Sequence, residues 1–577
     1  MLSECIHMEE DDEIVVRPLF ENLRDCFTME FWVKPEGNIQ ICPETTYGAY
    51  GTVGQKYVIG PGHGGGENQA GVGVSVGNNG ICVFEHTHNH LPAVLVYETL
   101  LIGWNHVAIV YNHKQPSLYL NGDYKKSGLR SPVEHVLASG TFGVLKPYGS
   151  FVGDIGEIRF WDHSRSPEQV FAMMNRKLTG REAGLYAHWS FKKESENKLV
   201  DLSGNDNHGT IFGSSWSYRS VKQQNKVFVM SHSDYLHSVN GTEKYIFEQQ
   251  RYLEQKGVEM VQAFPINEKV GINYLGKFLG HYKVEHLLEL MADKSRKFVT
   301  AYIHHLLRWP EYQYQMLITE FSKQNIKVVF YIHDFFICCP TVFMMYKDEH
   351  GERPCTWNLQ NHRTGDACTH CHHSALIHSW RCGFRQLLKY ACRIIVPSQF
   401  VYDIFSAIYP ELSRRTMIHG HLRLGQQVEK GVKNYTDGKI KFAFLGQKYL
   451  QKGLATWQKI YSNPRLHQIY DFYHVGCSQD YDRVKAFAYS FLEGGTMAAT
   501  NLLVEQEIDF VLLWSTVPES YSYTLYEAMA AGIPVITSQS AGNISEVVRK
   551  EPRLGRVFEN EDAMIEFLAD YNQVIEL

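Results

Sequence analysis

The chain changes its hydrophobic rhythm once, near residue 226. Before that point apolar and polar residues alternate in short runs broken by Gly, Asn and Pro, the period-two pattern of half-buried strands. FTMEFWVKP (27–35) alternates and stops at proline, and WNHVAIVYN (104–112) leads into SLYLNGD (117–123), a second strand closing on an Asn-Gly turn. GDIGEIRFWD (153–162) is another strand, SRSPEQVFAMMNRKL after it a short capped helix, and residues 183–213 supply two strands around an SGNDNHG turn. Beyond the polar stretch SWSYRSVKQQNK (215–226) the pattern differs. Continuous apolar runs (KVFVM, VEMVQAF, KFVTAYI, KVVFYIHD, RIIVPS) alternate with helix-length amphipathic stretches, and a second series follows (IKFAFLG, YDFYHVG, IDFVLLW, IPVITS). Strands apolar on both faces and interleaved with helices demand parallel sheets covered on both sides. The expected fold is therefore multidomain: an all-β sandwich, then α/β with two Rossmann-like sheets in tandem.

A length of 577 residues suits three or four folding units of ~150 residues each. The expected boundaries are a sandwich over 1–214, a linker over 215–225, a first Rossmann-like domain over 226–420 with a Cys-rich insertion at 338–373, and a second over 421–577. Net charge is −6, so no basic field points to nucleic acid. Aromatics reach 13%, which stacking on sugars and all-β packing would both use; packing is the favoured reading. The N-terminus, MLSECIHMEEDDEIVV, has neither a basic n-region nor an apolar h-region, and no run of about 18 apolar residues occurs. Of 12 cysteines, seven crowd between Cys338 and Cys392 while Cys5, Cys26, Cys42, Cys82 and Cys477 are scattered, which is no disulfide framework. The expected location is the cytoplasm, with peripheral contact to the inner membrane face left open.

The chemistry concentrates in PESYSYTLYEAMAAGIPVITS (518–538). It follows the strand IDFVLLW, holds Glu519 in a loop and Glu527 about two turns inside a helix, and leaves backbone amides around Tyr521 to Tyr523 at the helix start, a ready anion site. Taken alone, two glutamates on a β-loop-α unit are more often surface residues. The whole phrase, however, resembles the E-x7-E signature of the retaining GT-B glycosyltransferases grouped as family 4. The resemblance implies that Glu519 holds donor-sugar hydroxyls, Glu527 holds the nucleotide ribose, and the amides of Tyr521 and Ser522 face the sugar or phosphates. FLGQKYLQKG (444–453) is similar to the family's strand-glycine-helix piece, with Gly446 in the turn and Lys452 matching a phosphate-gripping lysine. Gln447 stands where an Arg is expected, with Lys448 beside it as a substitute.

In the first α/β half, Asn240-Gly241-Thr242-Glu243 resembles the family's glycine loop, where Gly241 would let the chain pass close to donor phosphate or acceptor, although a glycine before a helix is also a common cap. His333-Asp334 ends the strand KVVFYIHD at the edge where ligands bind in open α/β sheets. The family commonly has a donor-contacting His there, and Asp334 is expected to orient it. HGH (419–421) begins the crossover between the halves and reads equally as donor contact or structure. Cys339, Cys355, Cys368 and Cys371 admit two readings, a structural Zn²⁺ or reduced thiols in a lid-like loop; some family-4-like enzymes of bacterial surface-polysaccharide clusters carry a similar stretch. Asp154, Asp201, Asn205 and Asp206 could supply Ca²⁺ oxygens, but turn chemistry explains DLSGNDNHG as well and is preferred.

EFWVKP, WNHVAIVY…LYLNG, GDIGEIRFWD and the W-S-F…D-L-S-G-N-x-x-H-G close resemble the laminin-G-like, concanavalin-A-like jelly rolls across most of 25–213. That fold binds sugars, binds proteins or spaces domains. Together the resemblances imply a retaining glycosyltransferase, catalysed by Glu519, His333 and Lys452. It would move a sugar from a nucleotide-sugar donor to a glycan or lipid-linked glycan in bacterial surface polysaccharide synthesis, and no metal is required for transfer. Residues 1–214 are expected to fold alone and to influence acceptor use. The rival expectation is a carbohydrate-binding scaffold whose GT-B half is inactive, for which Gln447 speaks.

Overall fold

A computed structural model describes residues 4–64, 66, 68–191, 197–213, 215–221, 224–238, 240–342, 344–348, 351–354, 375–421, 438–490, 494–495 and 497–575. It divides into two compact units, Met1–Lys226 with Ile266–Lys297, and Val227–Pro265 with Phe298–Leu577.

The first unit holds the all-β sandwich. One sheet runs in the order Asp123–Ser127, Gln115–Leu120, Asn105–Asn112, Phe27–Pro35, Gly153–Trp161, Glu4–Met8, Ser217–Ser220, with Leu185–Trp189 also paired to Gly153–Trp161. The other runs Lys198–Leu199, Gly209–Phe212, Glu13–Arg24, His135–Phe142, Tyr57–Gly60, Gln69–Gly77, Gly80–His86, Ala93–Glu98. The alternation read from the sequence sends one face of each strand inward. Phe20, Phe142, Phe160 and Trp189 meet there edge to face or tilted, with centroids 5.3–6.3 Å apart. The helix Pro167–Met174 has the predicted cap: Ser166 accepts from the Gln169 amide and Gln169 reaches back to Ser166. Asp201 is turn chemistry, its carboxylate accepting from the backbone amides of His188, Ser203 and Asn207 and from the Ser203 hydroxyl.

Residues 266–297, assigned from the sequence to the first Rossmann-like domain, cluster instead with the sandwich. They form a hairpin (Lys269–Tyr274 with Lys277–Tyr282) and the helix Val284–Ala292. The reason is polar and specific. Asn38 donates to the Leu279 carbonyl at 2.6 Å, the Tyr282 hydroxyl reaches Asn78 O at 3.3 Å, and buried Arg296 donates to the carbonyls of Ile102 and Trp104 and to Asn105 Oδ1.

The second unit is α/β. Six of the eight strands of its first sheet are β1 (Lys226–Met230), β2 (Glu259–Ile266), β3 (Phe298–Ile303), β4 (Lys327–Tyr331), β5 (Ala391–Val396) and β6 (Thr416–Ile418), ordered β2-β1-β3-β4-β5-β6 and parallel from β3 onward. α1 (Gly241–Gln255) follows β1. The second sheet comprises β7 (Ile440–Leu445), β8 (Tyr470–Val475), β9 (Val484–Phe487), β10 (Phe510–Leu513), β11 (Val535–Ser538) and β12 (Gly555–Phe558). Its order, β9-β8-β7-β10-β11-β12, is all parallel. α2 (Tyr523–Ala530) links β10 to β11. The strand order reverses direction between β1 and β3 in one sheet and between β7 and β10 in the other, and a crevice opens at such switch points beyond the carboxyl ends of the strands.

No helix among the described residues is long and apolar enough to cross a membrane.

Candidate functional site

At the switch point of the second sheet, β7 runs into Gly446, whose φ of +133° suits glycine. His474, fully buried on β8, fixes this turn: its Nε2 donates to Gly446 O at 2.8 Å and its Nδ1 accepts from the Tyr481 hydroxyl at 2.7 Å. Lys448 lies with Nζ 3.8 Å from the centroid of the Tyr481 ring. The turn Leu450–Lys452 then ends on Gly453 at φ +91°, where a Cβ would stand 2.1 Å from Trp514 O, so only glycine lets the two segments approach.

That approach brings Lys452 to Glu519, Nζ to Oε1 at 2.6 Å, while Ser515 Oγ donates to the same oxygen at 2.9 Å. The loop holding Glu519 is laced to the next β-α connection by Glu519 N to Ala541 O and Asn543 N to Glu519 O. Ser522, at the start of α2, adopts φ +68° and ψ 94°, which costs a non-glycine residue of order 1–3 kcal/mol, and no side chain caps the helix behind it. An uncapped N-terminus held in a strained turn aims its positive dipole end at the crevice. Glu527, 1% exposed one turn further on, is met by Lys244 of α1, Nζ to Oε1 at 2.8 Å; its Oε2 has no hydrogen-bond partner. Tyr523 seals the same place, its hydroxyl donating to Gly241 O at 2.9 Å and its ring lying 4.7 Å from Lys244 Nζ.

The carboxyl edge of the first sheet presents imidazoles. His304 follows β3 and His333 follows β4, with His304 Nδ1 2.8 Å from His333 Nε2 and His333 Nδ1 3.2 Å from His421 Nε2. Burial, then the neighbouring imidazoles, hold His304 and His333 well below the ordinary histidine range, and burial pulls His421 down to about 3. The pocket lined by His304, His305, His333 and Asp334 is about 20 Å³, room for one water. Asp334 does not orient His333, as its place in the sequence suggested. Its Oδ2 pairs with His305 Nε2 at 2.8 Å, because β3 delivers a second histidine to that side. Glu243 is buried, accepts from Ser233 Oγ, and is raised by burial.

Glu519, Lys452, Glu527, Gly446, Lys448, Tyr521, Ser522 and Gly241 thus all lie on loops and helix starts at the carboxyl edges, and His333 joins them through His421, whose ring lies 4.7 Å from Tyr521. Cys339 is buried 3.1 Å from Thr341 Oγ1, whereas Cys355, Cys368 and Cys371 lie outside the described residues. Among the described residues, the group with metal-ligand spacing is His7, Glu36 and Asp154 on the sandwich, where Lys34 and Arg219 already sit 3.9 and 3.4 Å from the Asp154 carboxylate. Sequence reasoning missed Lys244, His304, Ser515 and His474. Only His474 stood in a phrase quoted as a strand, and nothing in that phrase distinguishes it from core.

The sandwich matches the family model of the concanavalin A-like lectin/glucanases superfamily over residues 10–171, and the C-terminal end matches glycosyl transferases group 1 over residues 498–576. No curated protein matches the chain. Among solved structures, Anabaena HepE in complex with UDP is 15% identical at a TM-score of 0.36, covering 61% of this chain and 94% of that one. The lipopolysaccharide outer core galactosyltransferase WaaB is 14% identical at 0.35, covering 61% and 90%. A candidate carbohydrate-binding protein from Bacteroides ovatus is 15% identical at 0.27, covering 38% of this chain, which spans 60% of that protein's length. The chain carries a concanavalin A-like lectin/glucanase domain at its N-terminal end and a glycosyl transferases group 1 domain at its C-terminal end.

Proposed function

We propose that the α/β unit transfers a sugar, with retention of configuration, from a nucleotide-sugar donor to a glycan or lipid-linked glycan hydroxyl. The observation that carries this is the pair Glu519 and Glu527, eight positions apart across an uncapped helix start, each already holding a lysine at 2.6–2.8 Å. On this reading the donor diphosphate lies on the start of α2 beside Lys452 and Lys448, the ribose hydroxyls bind Glu527, and sugar hydroxyls bind Glu519. The bond from the anomeric carbon to the diphosphate breaks, the acceptor oxygen bonds to that carbon from the same face, and the acceptor proton leaves with the diphosphate. The cations and helix amides stabilise the charge that builds on the leaving group, so the step calls on no metal. A Zn²⁺ held by Cys339, Cys355, Cys368 and Cys371 would shape a loop. The proposed setting is surface polysaccharide synthesis at the cytoplasmic face of the membrane, with the sandwich engaging the acceptor chain.

A screen of nucleotide sugars by thermal unfolding tests the reading, since a ligand at 100 times its Kd adds about 2.7 kcal/mol. Gln447, in place of the expected Arg, favours the rival of an inactive carbohydrate-binding scaffold. Stabilisation by glycans with none by any nucleotide or nucleotide sugar would select that rival.

A further inference from the structure

The imidazole chain at the edge of the first sheet has a direction, fixed at one end. Gln249 on α1 donates through Nε2 to the Tyr331 hydroxyl at 3.1 Å, and that hydroxyl is itself bonded to Tyr245. The amide oxygen is thereby turned to His304, 3.0 Å from its Nε2. An amide oxygen only accepts, so His304 Nε2 carries the proton. A neutral imidazole has one N–H, so His304 Nδ1 is bare and accepts from His333 Nε2. Repeating the step, His333 Nδ1 accepts from His421 Nε2, and His421 Nδ1 is left bare. That nitrogen is buried and without a hydrogen-bond partner. An unmet buried acceptor is costly, which is the mark of a group awaiting a donor.

Three aromatic rings pack against the His421 ring: Tyr245 from the first domain, and Tyr521 and Tyr523 from the second, with centroids 4.9, 4.7 and 5.7 Å from that of His421. Rings with a lone acceptor among them suit a pyranose, which has apolar faces and donating hydroxyls.

Resting on the reading of glycosyl transfer, we propose that His421 Nδ1 receives a hydrogen bond from a hydroxyl of the donor's sugar ring and helps select that sugar, with Gln249 as the positioning residue that sets the polarity of the relay. Burial keeps His421 unprotonated at neutral pH, its value being held near 3, so it binds a hydroxyl rather than deprotonating one.

The test is ¹⁵N-histidine labelling of the full chain, with assignments from His304→Gln, His333→Gln and His421→Asn. The expected pattern at pH 7 is Nε2–H with bare Nδ1 at all three positions, and a partial proton on His421 Nδ1 in Gln249→Leu. UDP-glucose, UDP-galactose, ADP-glucose and GDP-mannose are then added, each beside its own nucleoside diphosphate. The sugar that raises the melting temperature is expected to move the His421 Nδ1 resonance, while its nucleoside diphosphate alone does not. His421→Phe is expected to lose about tenfold in affinity for that nucleotide sugar relative to its nucleoside diphosphate, the worth of one hydrogen bond, and His421→Asn, which keeps an acceptor oxygen, to recover part of it. A proton on Nδ1 in the ligand-free protein, a resonance unmoved by bound nucleotide sugar, or an unchanged affinity ratio in His421→Phe would each overturn the proposal. Binding of none of the four, seen as no melting shift, fails at the reading of glycosyl transfer and takes the ligand assignment with it.

Discussion

Arg296 tests whether residues 266–297 belong energetically with the sandwich. Its side chain is 5% exposed, donates to the carbonyls of Ile102 and Trp104 and to Asn105 Oδ1, and pairs through Nε with Asp293 at 3.0 Å. Arg296→Met keeps most of the stem's volume while deleting every donor. It strands two backbone carbonyls and an amide oxygen, at ~1–3 kcal/mol for each group left unmet, and takes the guanidinium from Asp293, which also receives Asn121 Nδ2 at 2.9 Å. Against this stands the desolvation of the guanidinium, no longer needed in the variant. Breaking a buried pair from one side nets about 3–5 kcal/mol of destabilisation. At about 2–4 °C per kcal/mol for a unit of this size, the sandwich transition should fall by roughly 6–20 °C. Calorimetry of the full chain reads this, and a nucleotide that stabilises only the α/β unit identifies which transition is which. An unmoved transition, or a fall confined to the nucleotide-sensitive one, would refute the assignment of the arm.

Glu527→Ala and Lys452→Ala are each expected to cut transfer about 100-fold or more while leaving the far-ultraviolet circular dichroism unchanged; near-normal turnover in both would sink the site. Lys244→Met is expected to weaken UDP binding about tenfold while leaving uridine nearly unaffected, if the lysine passes from Glu527 to the diphosphate when the ribose arrives; a tighter grip on both would mean it only blocks. Burial raises the Glu85 carboxyl to about 7, so its folded value lies above the unfolded one. The sandwich should therefore lose roughly 2–3 kcal/mol as pH rises from 5 to 8, and Glu85→Gln should abolish that slope in denaturant titrations. Zinc should copurify with the full chain and fall in Cys368→Ser/Cys371→Ser by elemental analysis, equal metal in both rejecting the thiolate site.

The architecture was legible because period and composition change together. Strands such as Phe27–Pro35 alternate in sequence and β10 does not, and those two patterns separate strands with one face toward a core from strands of a parallel sheet covered on both faces. The arm at 266–297 was not legible. Its hairpin strands have the same period as sandwich strands, and what assigns it is Arg296 reaching carbonyls nearly 200 residues away. Backbone carbonyls carry no sequence signature. The helix Pro167–Met174 shows the converse: Ser166, Pro167 and Gln169 are local, and local chemistry is readable.

At the site the same division applies. Glu519, Glu527 and Lys452 stand in phrases whose spacing carries meaning, but their partners come from elsewhere: Lys244 lies 283 residues from Glu527, and Lys452 lies 67 from Glu519. Those partners alter the electrostatics the motif suggests. Among the described residues each glutamate holds a lysine and burial keeps the imidazoles of His304, His333 and His421 neutral, which leaves Lys448 and the start of α2 as positive groups for a ligand. A diphosphate brings about two negative charges, and Gln447 supplies none of the compensation an Arg would. On the proposed reading the shortfall is met by exchange. Ribose hydroxyls can donate to Glu527 in place of Lys244, and the released ammonium already stands 4.7 Å from the Tyr523 ring at the helix start where the phosphates would lie. A buried ion pair that opens only when both its members gain new partners has little intrinsic stability to surrender, so the motif's missing cation can be supplied from the opposite domain, where no reading of the motif alone would look for it.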